Sequence, residues 1–220
     1  MLLPMSEETR IRISLLLLTF STGLIDAVSY LAMGHVFTAN MTGNVLFFAF
    51  SLAGVSGLSV YGAAVSLAAF LCGAVVGGRF WLELKEESAR ILLRKAVLLE
   101  CLLLAIASLA FGLAPDKPRT YLAILLTAAA MGFQNAVVRK LGIPDLTTTV
   151  LTLTLTGIAS DSSLGGGTNP RWKTRLLGIV MMAAGAGIGA ALERVLPLAP
   201  LLLSSVLAVI TGAFVLRSQS

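Results

Sequence analysis

Charged residues are scarce in this sequence. Of its 220 residues, 12% are charged and 57% are hydrophobic, whereas soluble domains carry about 25% charged residues. A soluble fold of this length needs a polar surface that so few charged side chains could not form. The composition therefore excludes an ordinary soluble domain and favours a protein that lies in a lipid bilayer.

Cysteine and histidine are also rare. Cys72 and Cys101 lie in apolar runs without the spacing of a redox or metal site, and His35 is the only histidine. No nucleophile–histidine set, metal cluster or nucleotide-binding motif is recognisable, so we predict that the chain is not an enzyme and binds no metal or cofactor. The net charge of +5 does not indicate nucleic acid, because the basic residues stand at the ends of apolar runs. The predicted partner is the lipid bilayer.

Long apolar runs are abundant. They are rich in Leu, Ala and Gly and lack the alternation typical of barrel strands, so we expect an all-α, polytopic membrane bundle. The first run is too long for a cleaved signal sequence and is interpreted as a span. The second and sixth runs are short and rich in Thr, Asn and Gly. The eight runs cover 11–33, 41–57, 59–83, 91–114, 119–138, 146–160, 174–193 and 197–216.

The positions of Lys and Arg determine how the two short runs are interpreted. If all eight runs cross the bilayer, the 16 basic residues divide equally between its two sides. If each short run enters and leaves on one side, only Lys117, Arg119 and Arg194 remain outside, as the positive-inside rule favours. We therefore predict six full spans plus two short re-entrant or broken helices, with both termini cytoplasmic. Eight full spans remain the alternative.

The chain also contains an internal repeat, with one copy in 11–114 and the other in 119–216. Three full spans in each copy would invert the second copy relative to the first, an arrangement found in many transporters. The matches are Gly23–Val28 with Gly132–Val137 at an offset of 109, Thr38 and Thr42 with Thr148 and Thr152 at 110, and the pair Gly73/Gly77 with Gly185/Gly189 at 112.

The short runs and their neighbours hold the candidate site residues. A helix that breaks inside a bilayer exposes backbone groups that polar side chains must satisfy, and its free N–H groups can also hold a polar solute. Helix capping and interhelical hydrogen bonding are the competing explanation. The predicted substrate-binding or pore-lining residues are Asp26, His35, Thr38, Asn40, Thr42, Asn44, Gln134, Asn135, Thr148, Thr149, Thr152 and Thr156.

Asp26 is the most informative of these residues. A charged side chain inside a bilayer costs at least ~2.5 kcal/mol on insertion scales, so an acid within a span is a functional candidate. Asn135 occupies the matching position in the second half and cannot titrate. This difference predicts proton coupling through Asp26, although the carboxyl group could instead bind the backbone at a helix break. Glu100 is expected to pair with a base or to reach the interface.

The motifs resemble those of a known family. They are Gly23-x-x-Asp26-Ala-x-Ser-Tyr30, Gly34-x-Val-Phe-Thr38-x-Asn40-Met-Thr42-Gly43-Asn44, Gly132-Phe-Gln134-Asn135-Ala136 and Thr148-Thr149-Val-Leu-Thr152-x-Thr-x-Thr156-Gly157. Together they resemble the YoaK-like family of bacterial integral membrane proteins across residues 11–216. The resemblance implies a bacterial inner-membrane location and suggests transport without naming a substrate.

These observations predict a transporter or channel for a small polar solute. A structural or regulatory membrane subunit would instead pack its Thr and Asn residues without a cavity. A membrane enzyme acting on lipid would expose Asp26 or Glu100 in a lateral cleft. The sequence leaves the solute, the transport direction and homo-oligomer formation open.

Overall fold

The computed structural model describes residues 6–84, 86–113, 117–144, 146, 148, 149 and 151–216. Within them the fold is all-α, as predicted, with eight helices and one short 3₁₀ turn at Ser163–Gly165. Lys85 and Arg217, which contributed to the charge distribution, lie outside the described residues. The helices are α1 (Glu7–Ala32), α2 (Met41–Leu52), α3 (Val60–Leu84), α4 (Ala89–Leu113), α5 (Lys117–Leu141), α6 (Leu151–Ser160), α7 (Trp172–Glu193) and α8 (Ala199–Leu216).

Five of the described helices are long and apolar enough to cross a bilayer: α1, α3, α4, α5 and α7. Helix α8 has 18 residues and a length of about 27 Å at 1.5 Å per residue, slightly less than a ~30 Å hydrocarbon core. Many Leu, Val and Ile side chains on α3, α4, α7 and α8 are exposed on the surface of the bundle. They form the apolar surface that a bilayer would cover, so the protein is a multi-pass membrane protein.

The short helices α2 and α6 are even shorter than the sequence runs predicted. Helix α2 has 12 residues and α6 has 10, which give about 18 Å and 15 Å. Helix α2 ends before Gly54 and Gly57, whose positive φ angles of 85° are unfavourable for other residues. Helix α6 begins only after Thr148, a residue in the left-handed region with φ 59°. Neither helix is long enough to cross a ~30 Å core.

Two pairs of long helices cross at glycines. Gly73 and Gly77 of α3 contact the backbone of Ala129 and Phe133 of α5. The numbers of the contacting residues increase in the same order along both helices, so α3 and α5 run in the same direction. Small residues allow this close backbone approach, as they do between helices in membranes.

The other crossing joins α1 and α7. Gly185 and Gly189 of α7 contact the backbone of Phe20 and Leu24 of α1, so these two helices are also parallel. Gly23 of α1 lies against the backbone carbonyl of Met182. The contacting residues of this crossing match those of the α3–α5 crossing in spacing. The α1 residues lie 109 positions before the matching α5 residues, and the α7 residues lie 112 positions after the matching α3 residues.

Helices α4 and α8 run in opposite directions. Arg90 near the start of α4 donates to the carbonyl of Val215 near the end of α8, at 3.0 Å. Cys101 donates to the carbonyl of Ser205 at 3.5 Å, and Gly112 contacts Leu198. Together with the short connections between neighbours, these contacts orient α1, α4 and α7 one way and α3, α5 and α8 the other.

The helix directions determine how the chain passes the short helices. Because α1 and α3 are antiparallel, α3 starts at the end of the bundle where α1 finishes, and α2 must return to that end. The same holds for α6 between the antiparallel helices α5 and α7. The segments that contain α2 and α6 therefore each start and finish at the same end of the bundle.

The glycine crossings give a stability prediction. We expect Gly73→Ala and Gly185→Ala each to lower the free energy of unfolding by about 1–3 kcal/mol, because a Cβ would overlap a backbone carbonyl of the partner helix. Gly78→Ala and Gly187→Ala, where nothing lies within 4 Å of the added atom, are the matched controls. Thermal melting of the detergent-purified variants measures the difference. Equal melting of all four variants would contradict tight packing at the two crossings.

Candidate functional site

The first break in the helical structure lies between α1 and α2. Gly34 and His35 have positive φ angles of 93° and 58°, which turn the chain back toward the bundle. The N–H of His35 returns to the carbonyl of Tyr30 at 3.2 Å, as in common helix C-terminal turns. Residues 36–40 then run in a non-helical conformation as far as the start of α2.

Asp26 holds this segment from the side of α1. One carboxylate oxygen, Oδ1, accepts the N–H of Thr38 at 3.0 Å and the N–H of Ala39 at 2.9 Å. The side chain is buried, with 7% of the residue exposed. Asp26 therefore satisfies backbone donors that a break within the bilayer would otherwise leave without partners. This contact is the backbone-binding role that the sequence offered as the alternative to proton coupling.

Asn44 holds the same segment from the side of α2. Its Oδ1 accepts the N–H of Phe37 at 2.9 Å, and its Nδ2 donates to the carbonyl of Phe37. The hydroxyl of Ser66 on α3 donates to the same carbonyl at 2.6 Å. Asn44 and Ser66 are fully buried. The break is thus fixed by side chains from three helices.

The second break, before α6, is also fixed by polar side chains. Thr149 donates its hydroxyl to Oδ1 of Asn135 at 2.7 Å. Gln134 lies 3.0 Å from the hydroxyl of Thr148. With its amide oriented so that both ends have partners, Gln134 accepts from Thr148 and donates to Glu100 Oε1 at 2.7 Å. Glu100 is almost fully buried, with 1% exposed, so it neither reaches the interface nor forms an ion pair with any described base.

The far end of α6 is fixed to α7. Arg175 donates to the carbonyl of Gly157 at 2.6 Å and to Oδ2 of Asp161 at 2.7 Å. Hydrogen bonding to Arg175, supported by Ser160, holds the pKa of Asp161 below its ordinary value. Asp161 is exposed to solvent, so this contact serves to position α6 rather than to stabilise the whole fold.

A cavity of about 950 Å³ lies between the two breaks. The starts of α2 and α6 both contribute to its wall, together with the middle of α3 and the second half of α5. Its size falls within the ~300–1,000 Å³ typical of ligand pockets. The lining residues are Ala39, Asn40, Met41, Thr42, Gly43, Leu46, Phe70, Ala74, Gly78, Asn135, Ala136, Arg139, Lys140, Thr149, Leu151, Thr152 and Met182.

The predicted site residues fall into three groups. Asn40, Thr42, Asn135, Thr149 and Thr152 line the cavity. A second group is buried behind its wall and supports the two breaks: Asp26, Thr38, Asn44, Gln134 and Thr148. Contact of any of these residues with a solute stays a prediction.

The third group, His35 and Thr156, lies away from the cavity. The ring of His35 packs edge-on against Tyr30 at 5.1 Å. Thr156 is exposed, one turn of α6 beyond Thr152. The shared helical face of Thr152 and Thr156 therefore extends past the cavity.

The charged residues of the site were not predicted as such. Arg139 and Lys140 line the cavity, but their positions in the sequence indicated only membrane orientation. Glu100 was not expected to contact Gln134. Arg139 and Lys140 could have been predicted as neighbours of the site, because both lie within the six residues of α5 that follow Asn135. Among the described residues, no three His, Cys, Asp or Glu side chains are grouped to hold a metal ion.

An aromatic cluster lies beside the first break, where α1 ends. The rings of Tyr30 and Phe37 are stacked with centroids 5.1 Å apart, and Phe47 stacks on Phe37 at 5.7 Å. None of these three residues lines the cavity.

Comparison with known proteins identifies the family to which the chain belongs. Residues 14–214 match the family described as "Protein of unknown function (DUF1275)". The chain belongs to the DUF1275 family. It is also 32% identical over 148 residues to the UPF0700 transmembrane protein YoaK of Bacillus subtilis (strain 168), a match that covers 67% of this chain and 65% of that protein. The predicted YoaK-like membership is therefore confirmed. No solved structure matches the chain.

The contacts of Asp26 give a second prediction. Asp26→Ala leaves two buried N–H donors without their acceptor, and each such loss costs about 1–3 kcal/mol. Asp26→Asn keeps a carbonyl oxygen at the same position, so we expect it to melt closer to the unsubstituted protein than Asp26→Ala does. Differential scanning fluorimetry in detergent measures both. If Asp26→Ala melts like the unsubstituted protein, Asp26 does not support the break.

Proposed function

We propose that this DUF1275 protein is a transporter or channel for a small polar solute in the bacterial inner membrane, with the cavity between α2 and α6 as its site. The cavity is the observation that carries the proposal. A structural subunit would pack the Thr and Asn residues without space between them, whereas Asn40, Thr42 and Thr152 border a cavity of about 950 Å³. A lipid enzyme is less well supported, because Asp26 and Glu100 do not line the cavity and their oxygens bind protein groups.

We further propose that the two halves form an inverted repeat. Helix α3 packs on α5 as α7 packs on α1, and α4 and α8 meet across the bundle. The contact of Gly73 with Ala129 corresponds to that of Gly185 with Phe20. The two glycines differ by the offset of 112, and Phe20 and Ala129 differ by the offset of 109. The opposite directions of α1 and α5 support inversion rather than a parallel repeat.

The proposed topology has six crossings and two re-entrant half-helices. The helix directions support it over eight crossings, since each short helix returns to the end from which it entered. The start of α1, the junction of α3 with α4 and the end of α5 lie at one end of the bundle, and their basic residues favour the cytoplasm. Both termini would then be cytoplasmic.

The mechanism follows from the two half-helices. Their first residues, Met41 and Leu151, both border the cavity, so the positive dipole ends of both half-helices would be available to a solute, together with first-turn N–H groups other than that of Gly43, which Asn40 caps. Hydroxyl and amide groups of Thr42, Thr152 and Asn40 would replace part of the solute's hydration shell. Rocking of one half against the other would alternate access. Proton coupling remains a prediction for Asp26, and Glu100 beside Gln134 is a second buried acid that could serve it.

The proposal predicts that the cavity contains water. We expect Thr152→Cys, in a background with Cys72 and Cys101 replaced by Ala, to react with a charged, membrane-impermeant thiol reagent. The control is Ala68→Cys on the exposed surface of α3, which would face lipid and react at least about tenfold more slowly, because a thiol in hydrocarbon forms little thiolate. Labelling in inverted membrane vesicles, followed by mass spectrometry, measures both rates. Equal, slow labelling would favour the dry structural subunit.

Transport itself is tested by blocking the cavity. We expect Ala74→Phe to abolish solute flux, because Ala74 lines the cavity and a phenyl ring would fill part of it. Ala68→Phe, on the lipid-facing side of the same helix, should leave flux unchanged. Uptake of labelled glycerol, urea, acetate and phosphate into proteoliposomes measures the effect. Absence of flux above empty liposomes for every solute would count against a transport function.

A further inference from the structure

The wall of the cavity is basic. Arg139 and Lys140, in the last turn of α5, both border it, and none of the lining residues is acidic. Neither side chain forms an ion pair with an acid in the part of the chain that the structure describes. Both residues are exposed at the end of α5, so two positive charges border the cavity at its edge and have no described ion-pair partner.

The two half-helices add to this positive potential. A helix N-terminus carries roughly half a positive charge and several N–H groups without helical partners. Helices α2 and α6 begin at Met41 and Leu151, and both residues line the same cavity as the two basic side chains. The positive groups come from three separate segments of the chain, so their convergence is a property of the folded site.

We propose that the solute is a small oxyanion, of the carboxylate, phosphate or sulfate class. This inference rests on the proposed transport function and specifies its substrate. Guanidinium and ammonium groups would bind the anion's oxygens by charge-assisted hydrogen bonds, and the starts of α2 and α6 would supply N–H donors. Thr42 and Thr152, which line the cavity, would donate their hydroxyl groups.

Helix-terminal Arg and Lys residues also bind lipid phosphate, which shares the chemistry of a free oxyanion. Arg139 and Lys140 are exposed at the end of α5 and also border the cavity beside Asn135 and Thr149. Because the starts of α2 and α6 border the same cavity, we assign the pair to the free solute, and the lipid composition of the assay separates it from a headgroup.

The test measures binding and flux in the whole protein. Acetate, inorganic phosphate and sulfate are the anionic probes, glycerol and urea the neutral ones, and choline the cationic one. A ligand of the folded state raises the melting temperature, and its concentration dependence gives an apparent affinity. We expect at least one anion to bind and to cross proteoliposomes. Arg139→Gln and Lys140→Gln should each weaken that affinity about tenfold or more.

Two control variants keep the result interpretable. Arg94→Gln removes one positive charge from an exposed position on α4 that does not line the cavity, so it should bind the anion like the unsubstituted protein. Arg139→Lys retains the charge and should recover part of the affinity lost in Arg139→Gln. This recovery would separate a charge effect from misfolding. Each variant is first compared with the unsubstituted protein by its melting temperature without solute.

The other outcomes overturn the inference in distinguishable ways. Flux of glycerol, urea or choline without anion binding would retain transport and refute the oxyanion. An anion effect seen only in liposomes containing phosphatidylglycerol, and absent with purely zwitterionic lipid, would assign the basic pair to headgroups. Equal weakening in Arg94→Gln would attribute binding to overall charge. If no probe binds or crosses, the oxyanion inference and the proposed transport function both fail.

Discussion

Backbone groups that leave a helix inside a bilayer need partners within the protein, and this requirement governs the centre of the structure. Hydrocarbon supplies no water, and each backbone group left unsatisfied in it costs several kcal/mol. Asp26 and Asn44 provide the partners at the break before α2, and residues of α5 lie beside the break before α6. Because these breaks are supported, the two short helices can begin inside the bundle, with a cavity between their first residues.

The supports explain why polar residues of an apolar chain are concentrated in a few places. Asn44 is fully buried and hydrogen-bonded to both backbone groups of Phe37. These contacts explain its presence without a solute. Asn40 and Thr42, two to four residues earlier, border empty volume instead. The division between supporting and lining residues therefore changes within one turn of a helix.

Sequence alone predicted the helical class, the two exceptional short segments and the family. These features depend on local composition, on run length and on adjacent motif residues, all of which are visible in one dimension. The cavity wall depends on more. Phe70 and Met182 reach it through the crossings of α3 with α5 and α7 with α1, and Arg139 reaches it because α5 ends beside the start of α6. Such contacts follow from helix packing, which the spacing of residues along the chain does not determine.

Residue spacing also could not assign the role of Asp26. An acid within a span is consistent with proton transfer and with backbone capping, and only the positions of the Thr38 and Ala39 N–H groups distinguish the capping contact. A carboxylate that accepts two N–H groups is stabilised in its charged form by those donors and disfavoured by its burial. Both N–H groups bind Oδ1, so Oδ2 could exchange a proton while the capping contact stays in place, and the two roles are compatible in one carboxyl group.

The two ends of the bundle carry different side chains near the breaks. Arg139 and Lys140 border the cavity where α5 ends, while the rings of Tyr30, Phe37 and Phe47 are in contact where α1 ends. Aromatic pairs contribute about 0.5–1.5 kcal/mol each beyond their buried area, so the contacts among these rings stabilise the first break by a few kcal/mol. Phe37 is also bonded to the first turn of α2 through Asn44. In the proposed transport cycle, any movement of the start of α2 would therefore disturb the aromatic cluster.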